Sequence, residues 1–225
     1  MATTLNRLAG ACGVISGSLT VLFWGLHPMA GDPHAPRGAA YWEAVQSGRF
    51  AAVNGMFLAI ILTALPALVG FATRQAKEAA RLGLAGGVLA FLGTALFMGP
   101  GVFSAFVVPV LAASEATRPL LANDGPLLAG PMGAVFAAGG LTFAAGFVLF
   151  GVATARAGIL PRAAGWMLVV SSPILGLSPL MPLWARAAGS TVWGIAVLWM
   201  GLTLRRSTQF ISDPPARAVT VGTHG

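Results

Sequence analysis

From 51 to 73 the chain runs twenty-three residues without a charged side chain. A helix of that length spans the roughly 30 Å hydrocarbon core of a bilayer. Apolar runs of the same kind fall near 5–26, 82–102, 132–154, 163–181 and 190–204. In lipid the backbone must satisfy its own hydrogen bonds, which a helix does within the segment. Composition agrees: 56% of residues are hydrophobic and 8% charged, where soluble domains carry about 25% charge. The mean hydropathy is +0.82. The expected fold is an all-α, polytopic bundle of six transmembrane helices over 1–206, followed by a disordered polar tail at 207–225.

A net charge of +7 in a soluble chain would point to nucleic acid, but here its placement points to orientation. With the start of the chain in the cytoplasm, Arg7, Arg74, Lys77, Arg81, Arg156, Arg162, Arg205, Arg206 and Arg217 fall inside. Arg37, Arg49, Arg118 and Arg186 fall outside. The positive-inside rule then places both termini in the cytoplasm, in an inner (plasma) membrane, with no nucleic-acid partner. Trp24, Trp42 and Trp184 lie near the outer interface and Trp166 near the inner one, as an aromatic belt requires. The single Cys12 excludes an intramolecular disulfide. The stretch LAGAC at 8–12 has the look of a lipoprotein cleavage site, but Ala9 replaces the usual leucine and only one basic residue precedes it, so no lipidation is expected.

The outer side collects the titratable groups: His27, Asp32, His34, Glu43, Glu115 and Asp124. The first outer loop turns at Asp32-Pro33, and after Pro36 a short amphipathic helix should lie on the membrane surface until Gly48 ends it. Pro100, Pro109, Pro131, Pro179 and Pro182 also concentrate at this end, and such breaks are tolerated where freed backbone faces protein or a cavity. The sharpest is Gly99-Pro100-Gly101, after which 103–113 reads as a kinked continuation or a helix roofing the bundle. Gly13/Gly17 and Gly83/Gly87 have the G-x-x-x-G spacing of helix-packing seams. A faint repeat at an offset of 81 relates Gly70, Ala72, Thr73, Ala76 and Arg81 to Gly151, Ala153, Thr154, Ala157 and Arg162.

His27, Asp32 and His34 are the right donor types for a divalent metal, yet the prolines and glycine between them fix no geometry, so neither metal nor other cofactor is expected. Asp32 and Glu43 are the candidates for acid–base catalysis at an apolar mouth, with a histidine as partner. Asp124 is explained by the turn Asn123-Asp124-Gly125-Pro126, and Glu115 by pairing with Arg118. His27, His34, Arg49 and Asn54 are the candidate ligand contacts. The other mid-helix polar groups are Thr94, Ser104, Ser171, Ser172 and Thr191, most of which can bond back to their own helix. No charged residue or histidine stands at mid-depth in any span, which argues against an ion-coupled pump or channel. The motifs of serine hydrolases, zincins, phosphate-binding loops and dithiol enzymes are absent.

His27-Pro28 ending the first span before an acidic loop, Gly48-Arg49-Phe50 opening the second, and Gly158-Ile159-Leu160-Pro161-Arg162 with Gly165-Trp166 opening the fifth form a recognisable set. Over 5–206 the chain resembles multi-pass membrane proteins of unknown function from high-GC bacteria of the actinobacterial type. In those relatives a histidine often stands about where Asn54 is here. The resemblance implies a bundle and carries no activity. The reading it leaves is a membrane protein that binds a lipid-like ligand or a partner protein at its outer mouth, with a second copy of the chain among the possible partners. The alternatives are a small enzyme acting on an isoprenoid or lipid through outer carboxylates, and a facilitator for a neutral solute.

Overall fold

A computed structural model of the chain describes residues 2–27, 38–122 and 125–212. All regular structure among them is helical: α1 (Ala2–Leu26), α2 (Ala39–Gln46), α3 (Gly48–Leu96), α4 (Met98–Val102), a π-helix (Phe103–Val107), α5 (Val108–Ala112), a 3-10 turn (Arg118–Leu121), α6 (Pro131–Ala157), α7 (Arg162–Gly176), a second 3-10 turn (Ser178–Leu180) and α8 (Leu183–Ser212). Local chemistry sets several boundaries. The Ser47 hydroxyl caps α3 by accepting from the Phe50 N–H at 3.3 Å. Pro131 occupies the first turn of α6, where a missing N–H costs nothing. Gly158 ends that helix at φ 67°, its N–H bonded to the Thr154 carbonyl.

Helix α3 doubles back on itself. At Ala80 the backbone takes φ 47°, ψ −143°, and the two arms, 48–79 and 81–96, pack antiparallel. Ala72 faces Gly87, and the Phe57 ring sits against Gly101 and 6.5 Å from the ring of Phe97. The α6–α7 pair reverses at 158–161, at the same end. Ala80 and Pro161 are therefore related by the offset of 81 seen in the sequence.

Six rods, taken in chain order, close into a ring, and glycines mediate most of the closures. A Cβ on Gly17 would lie 2.5 Å from the Gly194 carbonyl, which is how close α1 runs to α8. One on Gly93 would lie 2.3 Å from the Phe143 nitrogen (second α3 arm on α6), and one on Gly140 would lie 2.2 Å from the Gly176 carbonyl (α6 on α7). Gly70 meets Ala9 where the first α3 arm touches α1, and two to three turns further along the same interface the Ser16 hydroxyl donates to the Ile60 carbonyl at 3.1 Å. Gly189 meets Ile174 and completes the circle from α7 to α8. The expected seam at Gly13 and Gly17 is present. On the second α3 arm the close approaches to α6 are at Gly86 and Gly93, whereas Gly83 is tight against Ala79 across the reversal and Gly87 has ordinary contact distances. One face of a helix recurs every seven residues, so Gly86 and Gly93 share the face turned to α6.

Phe71, Phe147, Phe150, Leu168 and Met200 fill the ring in the half nearer the two reversals. The outside is apolar, with Leu62, Leu84, Leu141 and Val170 more than half exposed. Four stretches are long and apolar enough to cross a membrane: Thr4–Leu26, Gly48–Ala112, Pro131–Ala157 and Leu183–Arg206. The second contains both α3 arms. Helix α7 has 15 residues, about 22 Å, because Pro173 falls in its last turns and the chain leaves it at Leu177.

The opposite end carries a cap. The segment 81–112 is a single kinked rod of roughly 48 Å, longer than a bilayer core. Pro100 and Pro109 cannot donate to the carbonyls four residues before them, and the π-helix lies between these two breaks. On its projecting end α2 packs Val45 against Ala112 and Leu121, so part of the apolar face expected to meet the membrane surface is covered by protein, with Tyr41 and Ala44 half-buried and Ala40 exposed. The Gln46 amide and the Arg118 guanidinium both donate to the Ala112 carbonyl at 3.0 Å, and Arg118 lies 5.4 Å from the Trp42 ring. Arg118 also pairs with exposed Glu115 at 3.6 Å.

Positive φ at a residue with a Cβ costs about 1–2 kcal/mol that glycine avoids. Ala80→Gly should therefore stabilise the detergent-solubilised protein by about 1 kcal/mol. Thermal unfolding measures this, and a lower midpoint would mean that the reversal is not built as described.

Candidate ligand-binding site

A cavity of about 220 Å³ lies inside the ring in the half nearer the cap, and all six rods line it. Helix α1 contributes Thr20, Phe23 and Trp24, and His27 follows directly after its end. The first α3 arm adds Asn54, Phe57, Ile60, Ile61 and Ala64. Thr94 and Phe97 come from the second arm, with Pro100 and Ser104 from its kinked extension. Phe143, Leu175, Ser178, Ser190 and Trp193 complete the wall. Drug-sized ligands occupy roughly 300–1,000 Å³, so the space suits one ring system or the end of a chain.

Aromatic rings run from rim to floor. His27 stacks beside Phe23 at 5.3 Å and Trp24 at 5.4 Å; Phe23 meets Phe57 at 5.6 Å. Phe97 meets Phe143 edge-on at 5.0 Å, and Phe143 meets Phe147 at 4.5 Å, with Trp193 5.4 Å from Phe147. These spacings are those of favourable aromatic pairs, so the lining is ordered by its own contacts.

Several polar groups in the wall are spent on their own helices. Thr94 donates to the Ala90 carbonyl at 2.7 Å and Thr20 to that of Ser16 at 2.7 Å. Ser190 donates to the Thr20 carbonyl at 3.4 Å, across α8 and α1. Asn54 is 5% exposed and its amide donates to the Phe50 carbonyl at 2.9 Å. That bond uses one of the two amide N–H groups and leaves the other N–H and the side-chain carbonyl for the cavity that Asn54 lines.

Of the residues singled out in the sequence, the structure brings His27, Arg49 and Asn54 to one end of the bundle. Arg49 is exposed and donates to the Leu26 carbonyl at 2.9 Å, tying the end of α1 to the start of α3 beside the rim. Glu43 is exposed on α2 and is not part of the cavity wall. Asp32, His34 and Asp124 lie outside the described residues. Thr94 and Ser104 line the cavity, while Ser171, Ser172 and Thr191 bond back to Met167, Leu168 and Ala187.

Two buried polar groups were not singled out. Gln75 is 1% exposed and Thr154 fully buried, both in the half nearer the reversals; neither Gln75 amide atom nor the Thr154 hydroxyl has a hydrogen-bond partner among the described residues. Each stands on the stripe of its helix that faces the ring's centre, after Phe71 and Phe150 respectively. Extending the i, i+3, i+4 pattern of those stripes by one turn would have found them. The Trp193 indole N–H is likewise buried without a partner. The chain matches no protein-family model, no curated protein and no solved structure.

Burial, and secondly the Arg49 charge, push the His27 imidazole down from 6.5 to about 4. The unfolded chain takes up a proton between those values and the folded one does not, so this residue removes stability as pH falls from about 6.5 to about 4 and no further below. His27→Phe should flatten that limb of the unfolding midpoint against pH. Parallel curves for the two proteins would contradict the buried, neutral imidazole.

A buried amide without partners costs about 1–3 kcal/mol. Gln75→Met, similar in shape and apolar, should raise the unfolding midpoint in detergent; an unchanged or lowered one would show that the amide is satisfied.

Proposed function

We propose that this is a six-crossing protein of the plasma membrane, with both termini cytoplasmic, that binds a small lipid-like ligand in its central cavity from the outer side. The observation that carries the reading is the cavity itself, walled by every rod of the ring, lined by aromatic rings and closed towards the other half by Phe147 and Met200. The crossings in this reading are α1, the two arms of α3, α6, α7 with its 3-10 extension, and α8. The end with the two reversals carries Arg7, Arg74, Lys77, Arg81, Arg156, Arg162, Arg205 and Arg206, against Arg49, Arg118 and Arg186 at the capped end among the described residues. The positive-inside rule places the first end in the cytoplasm, so the cap and the cavity rim belong outside.

A binding role fits better than an ion pathway. Ions crossing a bilayer need charged or coordinating groups at depth, whereas below this cavity the centre is packed with Phe71, Phe147, Phe150 and Leu168. The resemblance to multi-pass proteins of high-GC bacteria agrees with a bundle of this kind.

Native mass spectrometry of the protein released from mild detergent tests the reading. A discrete small-molecule adduct should be retained by the wild type and lost from Ala64→Phe, which fills the deep end of the cavity, while the variant stays monodisperse. A wild type that flies bare, or an adduct indifferent to Ala64→Phe, would rule out the cavity as the binding site.

A further inference from the structure

The proposed ligand site also indicates what a ligand must carry. Asn54 and Ser104 stand at about the same level on the two sides of the α3 hairpin: Gly101 packs on Phe57 and Leu58, and each polar residue lies about one turn further towards the cap on its own arm. Both line the cavity. One Asn54 amide N–H is committed to the Phe50 carbonyl, which leaves the second N–H and the side-chain carbonyl, and the Ser104 hydroxyl has no hydrogen bond among the described residues. A dry acyl or prenyl chain end placed here would strip water from both groups and give nothing back, which is costly. A charged group would meet no charged side chain in the wall and would be desolvated without compensation. A hydroxyl both donates and accepts, so a single neutral group of this kind could satisfy Asn54 and Ser104 together. Below this pair the wall is ring after ring, Phe57, Phe97 and Phe143, and flat aromatic surfaces pack best against another flat ring. The volume of about 220 Å³ is the liquid share of about seven waters, enough for one or two fused rings and too small for a whole lipid.

We propose that the cavity takes a neutral planar ring bearing a hydroxyl group, of the chemical class of phenols and ring quinols, with the hydroxyl between Asn54 and Ser104 and the ring among Phe57, Phe97 and Phe143. This inference rests on the cavity being a ligand site and adds the ligand's chemistry.

Equilibrium dialysis of the full chain in detergent against protein-free micelles tests it with two probes of one shape, 1-naphthol and 1-methylnaphthalene. The ratio of their affinities should fall about three- to tenfold from wild type to Asn54→Leu, the worth of one net hydrogen bond. Partitioning of the probes into detergent cancels in that comparison. Ser104→Ala should lower the ratio in the same direction and serves where Asn54→Leu does not fold. Saturable binding of both probes with a ratio unchanged in either variant would overturn the hydroxyl assignment and leave the ligand site standing. No saturable binding of either probe would overturn this inference as well, while an adduct lost from Ala64→Phe in the mass spectrometer would still uphold the site.

Discussion

Backbone-to-backbone approach at glycines is the constraint on which the rest of this molecule depends. Helices in lipid gain nothing by hiding apolar side chains from one another, because the solvent is equally apolar; close van der Waals contact must hold them instead. Gly17 against Gly194, Gly93 against Phe143, Gly140 against Gly176 and Gly151 against Gly165 bring neighbouring rods to within backbone contact. Five of the six rods have such a contact; the first α3 arm is held by Gly70 against the Ala9 side chain, and Gly189 against the Ile174 side chain completes the ring. Once the rods are this close at the wall, the centre must be filled from a limited set of side chains.

The two halves of the ring fill that centre differently. Towards the reversals, Phe71, Phe147, Phe150, Leu168 and Met200 leave no room. Towards the cap, Pro100 and Pro109 break the second rod of the hairpin and a π-helix lies between them, while α7 ends early at Gly176. Rods that are kinked or short pack less completely, and the remaining space is the cavity. The same proline breaks let the 81–112 rod project far enough to carry α2, so one irregularity produces both the chamber and the structure beside its rim.

Much of this could be read before any coordinates. Hydropathy marked the long apolar stretches, and Ser47, Pro131 and Gly158 mark helix ends by their chemistry. Asn54, Thr94 and Ser104 stood out as polar groups in apolar runs and all three line the cavity, because a polar side chain inside such a run is tolerated mainly where it faces the bundle interior. Other features were not legible. Gln75 sits close to Arg74 and Lys77 and so reads as part of a solvated helix end, yet its side chain turns inward; only the rotation of the arm about its axis shows this. Gly86 and Gly87 are adjacent in sequence, and which of them meets α6 depends on the same rotation. The amphipathic face of α2 was visible, but a lipid surface and a protein surface ask for the same residues. Glu43 and His27 fall in one loop region of the sequence, while in space one is on the exposed side of α2 and the other at the cavity rim.

The sequence by itself determined that the chain is helical and apolar enough to cross a membrane, which end of the bundle carries the cations, and where the helices are broken. These follow from local chemistry: hydrophobic run length, the missing proline N–H, and the distribution of arginines. Tertiary structure alone decided that the six rods close into a ring in chain order, that a cavity with Asn54 and Ser104 in its wall opens at the capped end, and that aromatic side chains seal the other half. Those depend on which face of each helix turns inward and on contacts between residues far apart in the chain, such as Ser16 with Ile60 and Gly17 with Gly194. Helical periodicity confines the inward face only to within a residue or two, and the glycine contacts select among the remaining choices.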